Sequence, residues 1–290
     1  MIRFAIHPAA RSDDPASGTM LEEAAAAGFN GIELGPEGGQ DPAALKAALD
    51  PHGLDLATAR YGLSLLSRSL DEERDAIQPH LDRLKASGCK ICVVCETSNA
   101  IFADPDTPIS RRPTLDETDW PTFGTKLEAI ASQCAEQGIA LVYQPHVGTV
   151  VQTPEEVDRL MLETGPALKL LFDTGQCYFG GGDPVQTLTR HMPRVGHVHM
   201  RNIRVNILTK TRMQDWPFLT GVREGVFTVP GDRDGSVDFQ TVLNLLAASK
   251  YEGWVTVVAE YGTEKADPMT AASQGLRTLK TMAQTAGFEA

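Results

Sequence analysis

Cysteines, positive charge and long apolar runs are all scarce in this chain. No stretch of its 290 residues approaches the roughly 18 apolar residues of a membrane span, so a membrane partner is not expected. The apolar run at Met1–Pro8 is also too short for a secretory signal, which makes the cytoplasm the expected compartment. Five cysteines in a chain of this length do not make a disulfide framework. Cys89, Cys92 and Cys95 have a C-x2-C-x2-C spacing, but the segment around them reads as a buried strand. A strand turns Cys92 to the face opposite Cys89 and Cys95, so the three cannot converge on an iron–sulfur cluster.

Lys and Arg total 26 against 38 Asp and Glu, a formal net charge of −12. Nucleic acid needs clustered basic residues. Here there is one Arg111-Arg112 pair and the scattered Arg201, Arg204, Lys210 and Arg212, so no nucleic-acid partner is expected. The acidic excess reads as a solvated surface that favours solubility. A dinucleotide fingerprint is missing too: Gly180-Gly181-Gly182 precedes a helix and does not follow a strand with the required spacing.

What the sequence does contain is an alternation. Short apolar runs at 3–6, 31–34, 55–60, 91–95, 140–144, 169–172, 196–200 and 255–260 have strand character. Helical patterns fall between them, at 19–27, 42–49, 71–87, 115–137, 154–163, 184–190, 239–249 and 267–286. Asp41, Thr153, Asp183 and Asp238 stand where N-caps belong, and Gly28, Gly88 and Gly138 where helices stop. Eight strand–helix units without a composition break predict a single (β/α)8 TIM barrel over residues 1–290. Two long connections, 97–114 and 201–237, follow the fourth and seventh strands and are expected to be active-site loops. Trp216, Phe218 and Phe227 suggest that the second is packed.

In such a barrel the residues at the C-terminal ends of the strands face the mouth. Polar groups there are costly unless paired. The fifth strand ends Tyr143-Gln144-Pro145-His146, the sixth ends in Asp173, the seventh reads His197-Val198-His199 and the eighth ends in Glu260. Glu33 lies on the second strand, and Glu96 ends the fourth. Singly, His197 or His199 reads as a hydrogen-bonded core histidine, Asp173 as a turn and Glu260 as an ion-pair member. On adjacent strands Asp173, His199 and Glu260 make a mixed oxygen and nitrogen shell, with Gln144 as a fourth corner. That shell suits Mn²⁺ or Co²⁺, with Mg²⁺ or Zn²⁺ as alternatives. Of the two histidines, His199 is nearer the mouth and is the expected ligand, with His197 one layer deeper.

Several segments also resemble a known family. They are 28–35, 106–113, 146–153, Asp173-Thr174-Gly175, His197-Val198-His199 and 227–232, and together they span nearly the whole chain in order. The chain resembles the xylose-isomerase-like sugar isomerases and epimerases, and among them most nearly the inosose dehydratases of inositol catabolism. The resemblance implies a metal-dependent hydro-lyase acting on a cyclic polyol ketone such as 2-keto-myo-inositol or a similar keto-sugar. A homo-oligomer is a further expectation.

Five positions depart from the family pattern: Gln144 where relatives place Glu or His, Pro145 and Gln176 where they have His, and Arg201-Asn202 where they have Lys-Asp. Isomerases of the superfamily are implied to use two metal-bound carboxylates as paired bases. Gln144 cannot be a base, and with Asp173 and Glu260 as the only anions a divalent site would be formally neutral, hence a stronger Lewis acid. β-Elimination of water beside a ketone fits such a site. Glu260 or His146 would remove the α-proton, while Glu33, Glu96, Arg201 and His197 would face the substrate. The alternatives are a ketose or aldose isomerase or epimerase, a lyase or hydratase of 3-keto sugars or glycosides, a metal-dependent endonuclease, and a binding protein without activity.

Overall fold

A computed structural model describes residues 1–7, 18–35, 41–259 and 267–289. Its strands are β1 (Ile2–His7), β2 (Gly31–Leu34), β3 (Asp55–Leu63), β4 (Ile91–Glu96), β5 (Ala140–Tyr143), β6 (Lys169–Asp173), β7 (Val195–Met200), β8 (Asn202–Ile203), β9 (Phe227–Thr228) and β10 (Gly253–Val258). Eight of them close a barrel in the order β1-β10-β7-β6-β5-β4-β3-β2. Every barrel pairing is parallel, and β1 against β10 seals the ring from Ile2 beside Gly253 to His7 beside Val258. The eight-unit barrel expected from periodicity is therefore the fold.

The helices are α1 (Gly18–Ala27), α2 (Pro42–Leu49), α3 (Leu70–Ala86), α4 (Trp120–Glu136), α5 (Pro154–Glu163), α6 (Thr174–Phe179), α7 (Pro184–His191), α8 (Val205–Met213), α9 (Phe218–Arg223), α10 (Phe239–Ala248) and α11 (Pro268–Thr285). Their starts are chemically marked. Ser69 with Glu72 and Thr153 with Glu156 form capping boxes, and the side chains of Asp41, Asp183 and Asp238 accept from first-turn N–H groups. Helix α4 begins at Trp120, later than the sequence suggests, with Pro121 in its first turn.

Two apolar layers form. The larger lies between barrel and helices. Inside the barrel, Val93, Val142 and Leu171 pack together. Two residues further on, just past β5 and at the end of β6, the same inward face carries Gln144 and Asp173, so a polar layer sits directly above an apolar plug. Cys89 and Cys92 belong to the outer core, and all five cysteines are free. Among the described residues no helix is long and apolar enough to cross a membrane.

The second long connection is a subassembly with its own secondary structure. Antiparallel β8 and β9 flank α8 and α9, and Phe179, Ile203, Leu208, Phe218 and Phe227 share a small core with Val147. Phe218 and Phe227 are buried as their aromatic character suggests. The first connection is fastened to it: the Ser110 hydroxyl donates to Asp215 Oδ2 at 2.6 Å, and the Ile109 amide donates to the Trp216 carbonyl at 3.2 Å. Arg112 donates to Glu156 Oε1 at 2.7 Å and ties the same stretch to α5.

Candidate metal centre

Asp173 ends β6 and caps α6, and its Oδ1 accepts from the Gln176 amide at 2.9 Å. Its Oδ2 is a point of convergence, with Gln144 Nε2 at 3.4 Å, His199 Nδ1 at 3.4 Å and Arg201 Nε at 3.3 Å. Burial by itself would raise this carboxyl, but Arg201 and His199 overcome it and hold Asp173 well below the usual carboxylate range. Arg201 is itself 1% exposed and lies over the Phe227 ring, 4.7 Å from its centroid. A guanidinium so desolvated is retained because it faces an anion.

Glu33 is the second buried anion. Its Oε1 accepts from the Thr256 hydroxyl at 2.8 Å, and His197 Nε2 stands 2.6 Å and His199 Nε2 3.1 Å from the same atom. His7 Nδ1 lies 3.3 Å from Oε2, with its ring stacked on His199 at 5.8 Å. Burial opposes charge here as well, yet His199 and His197 bring Glu33 well below its ordinary value. The histidines divide: burial lowers His197 and takes His7 to about 4, whereas Glu33 and Asp173 together lift His199 despite its burial.

This arrangement fits a cation. With its Nε2 proton shared with Glu33, His199 turns Nδ1 toward the Asp173 carboxylate, and Nδ1 has no hydrogen-bond partner. Two electron-rich groups facing each other at 3.4 Å call for a second ring proton or a metal ion. A carboxylate behind the far ring nitrogen is the usual device for orienting a metal-bound histidine. Glu33, His197 and His199 also form a group whose ligand atoms all lie within 4.8 Å of one another, close enough that they could hold a metal.

His146 lies beyond Gln144, between Phe102 at 4.8 Å and Phe218 at 5.4 Å, one from each long connection. Its Nδ1 is 2.8 Å from the Val147 carbonyl, an arrangement that places the proton on Nδ1 and leaves Nε2 an acceptor. Burial, reinforced by Arg60, pulls it down to about 3. Arg60 on β3 donates through Nη2 to Gln144 Oε1.

The structure thus gathers Glu33, Gln144, His146, Asp173, His197, His199 and Arg201 in one end of the barrel. Glu96 is engaged elsewhere: its carboxylate accepts from the Leu65 amide at 2.8 Å and the Ser98 amide at 3.0 Å, bracing the chain after β3 and β4. Glu260 lies outside the described residues. His7, Arg60 and Thr256 escaped the sequence reading. His7 and Arg60 each stand at the C-terminal end of an expected strand, where the rule applied to Asp173 would have found them.

Comparison with known proteins finds relatives over most of the chain. The chain is 43% identical over 268 residues to a rhizopine catabolism protein MocC of Rhizobium meliloti, covering 92% of this chain and 82% of that protein. It is 40% identical over 250 residues to an inosose dehydratase of Geobacillus thermodenitrificans (strain NG80-2), covering 86% and 83% respectively. The structure of an L-ribulose 3-epimerase shares the fold with a TM-score of 0.73 at 15% identity, over 99% of this chain and 96% of that one. Residues 21–282 match the family model described as Xylose isomerase-like TIM barrel, and with the closed eight-stranded barrel this places the chain in that family.

Proposed function

We propose that this protein is a metal-dependent hydro-lyase that removes water from a cyclic polyol ketone, 2-keto-myo-inositol or a close keto-sugar. The observation that carries the reading is Gln144. An isomerase of the type implied by the resemblance needs a second carboxylate base, and at this buried position beside Asp173 there is an amide. The near-full-length similarity to proteins named inosose dehydratase supports the same choice.

Asp173 and His199 would hold the ion, with Glu260 from beyond β10; Mn²⁺ or Co²⁺ suits this oxygen and nitrogen set best. When bound, the ion would supply Lewis acidity toward the ketone oxygen. The protein's own groups then divide the work. Arg201 keeps Asp173 ionised, and Glu33 fixes the ring of His199. His146 or Glu260 accepts the proton from the carbon beside the ketone. Where His146 is the acceptor, it holds that proton weakly, because its charged form is desolvated and repelled by Arg60, and passes it to the departing hydroxide to release water. The two long connections, whose Phe102 and Phe218 wall the imidazole, serve as active-site loops that exclude water.

The test is turnover by protein stripped of metal and reloaded with Mn²⁺ or Co²⁺. Offered 2-keto-myo-inositol, a 3-keto glucoside and a panel of ketoses, it should produce a dehydrated diketone, read by ultraviolet absorbance, from the first. Metal content should fall sharply in Asp173→Ala and His199→Ala. Interconversion of ketoses without loss of water would overturn the lyase assignment.

A further inference from the structure

The amide of Gln144 is only 1% exposed and has a neighbour at each end. Its Oε1 accepts from the Arg60 guanidinium, and its Nε2 donates to Asp173 Oδ2 at 3.4 Å. The main chain is fixed as well, since the Gln144 N–H donates to the Val94 carbonyl at 2.8 Å. Turning the amide over would set NH2 against a guanidinium, which has only donors, and a carbonyl oxygen against a carboxylate, which has only acceptors. Both hydrogen bonds would be replaced by like-polarity contacts in a site with little water to compensate. An amide binds hard cations through oxygen, and that oxygen is turned toward Arg60.

We propose that Arg60 is a positioning residue that clamps the Gln144 side chain as a hydrogen-bond donor to Asp173, and so keeps its oxygen out of the metal's ligand set. This rests on the metal-dependent reading above. The clamp gives the Gln144 position a purpose other than ligation. The amide orients the Asp173 carboxylate by a long hydrogen bond, and Arg60 adds positive charge beside His146 and His7. Glutamate at this position would bring a charge that Arg60 would neutralise, so Arg60 and Gln144 form a matched pair.

A double-mutant cycle on Mn²⁺ binding, measured by calorimetry on the whole protein, tests it. Gln144→Leu should leave the Mn²⁺ Kd within about threefold of wild type. Arg60→Met should tighten it by about tenfold, because the released amide can turn its oxygen to the ion. In the Gln144→Leu background the same change should tighten it by only about twofold, from the lost positive charge alone, and Arg60→Lys should behave like wild type. A tenfold weakening in Gln144→Leu alone, or equal effects of Arg60→Met in both backgrounds, would overturn the clamp. If wild type takes up no Mn²⁺, the metal reading fails, and the clamp is judged on the metal-free protein. There the Gln144 side-chain amide resonance, assigned by its loss in Gln144→Leu, must move in both Arg60→Met and Asp173→Asn; a resonance indifferent to both refutes it.

Discussion

His80, on α3 and packed against the ring of Tyr61, shows how burial of one ionisable side chain reaches stability. Burial, with help from Arg83, lowers it from 6.5 to about 4. The unfolded chain therefore binds a proton that the folded chain refuses as pH falls between those values. The stability this represents is fully present above pH 6.5 and is lost on the way down to about 4. His7 and His146 act in the same sense in the metal-free protein, whereas His199, lifted above its ordinary value, contributes stability at low pH that is lost as pH rises. Comparing wild type with His80→Leu isolates the first effect. Urea unfolding at pH 7.5 and pH 5 should show wild type losing more stability on acidification than the variant; equal losses would refute the assignment.

The short helix α6 is where local sequence and site geometry meet. The Asp-Thr-Gly motif puts the carboxylate at the end of β6 and uses it to cap the helix. Gly175 is needed for space: a Cβ there would come within 2.8 Å of both Cγ and Cδ of Arg201. Alanine in a helix ordinarily gains about 1 kcal/mol over glycine. Gly175→Ala should instead lower stability, by the roughly 1–3 kcal/mol typical of overpacking, and weaken Mn²⁺ uptake as Arg201 leaves Phe227 and Asp173. A thermal melt at or above that of wild type would show that Arg201 is not held as described.

Over the whole molecule, the −12 charge sets what the protein meets. Long-range repulsion from phosphates predicts no binding to nucleic acid. The protein should leave the mobility of duplex DNA unchanged at about 0.15 M salt and micromolar concentration, conditions under which basic proteins bind without specificity. A shifted band would mean that a basic face exists despite the composition.

Periodicity alone specified the barrel, and the strand ends named several of the residues that meet at one end of it. Strand and helix periods repeat over eight units, and the strand-end rule singled out Gln144, Asp173, His197 and His199 because polar groups on apolar strands need a reason to be there. Tertiary structure decided the rest. That Glu33 sits behind His199, that Glu96 braces a loop, and that Arg60 holds the oxygen of Gln144 all depend on which side chains meet across the barrel. Those meetings join residues as far apart in sequence as Glu33 and His199, and no local pattern encodes them. They are set by the closure of β1 on β10, which brings distant strands to one polar layer where each buried charge must find its counterpart.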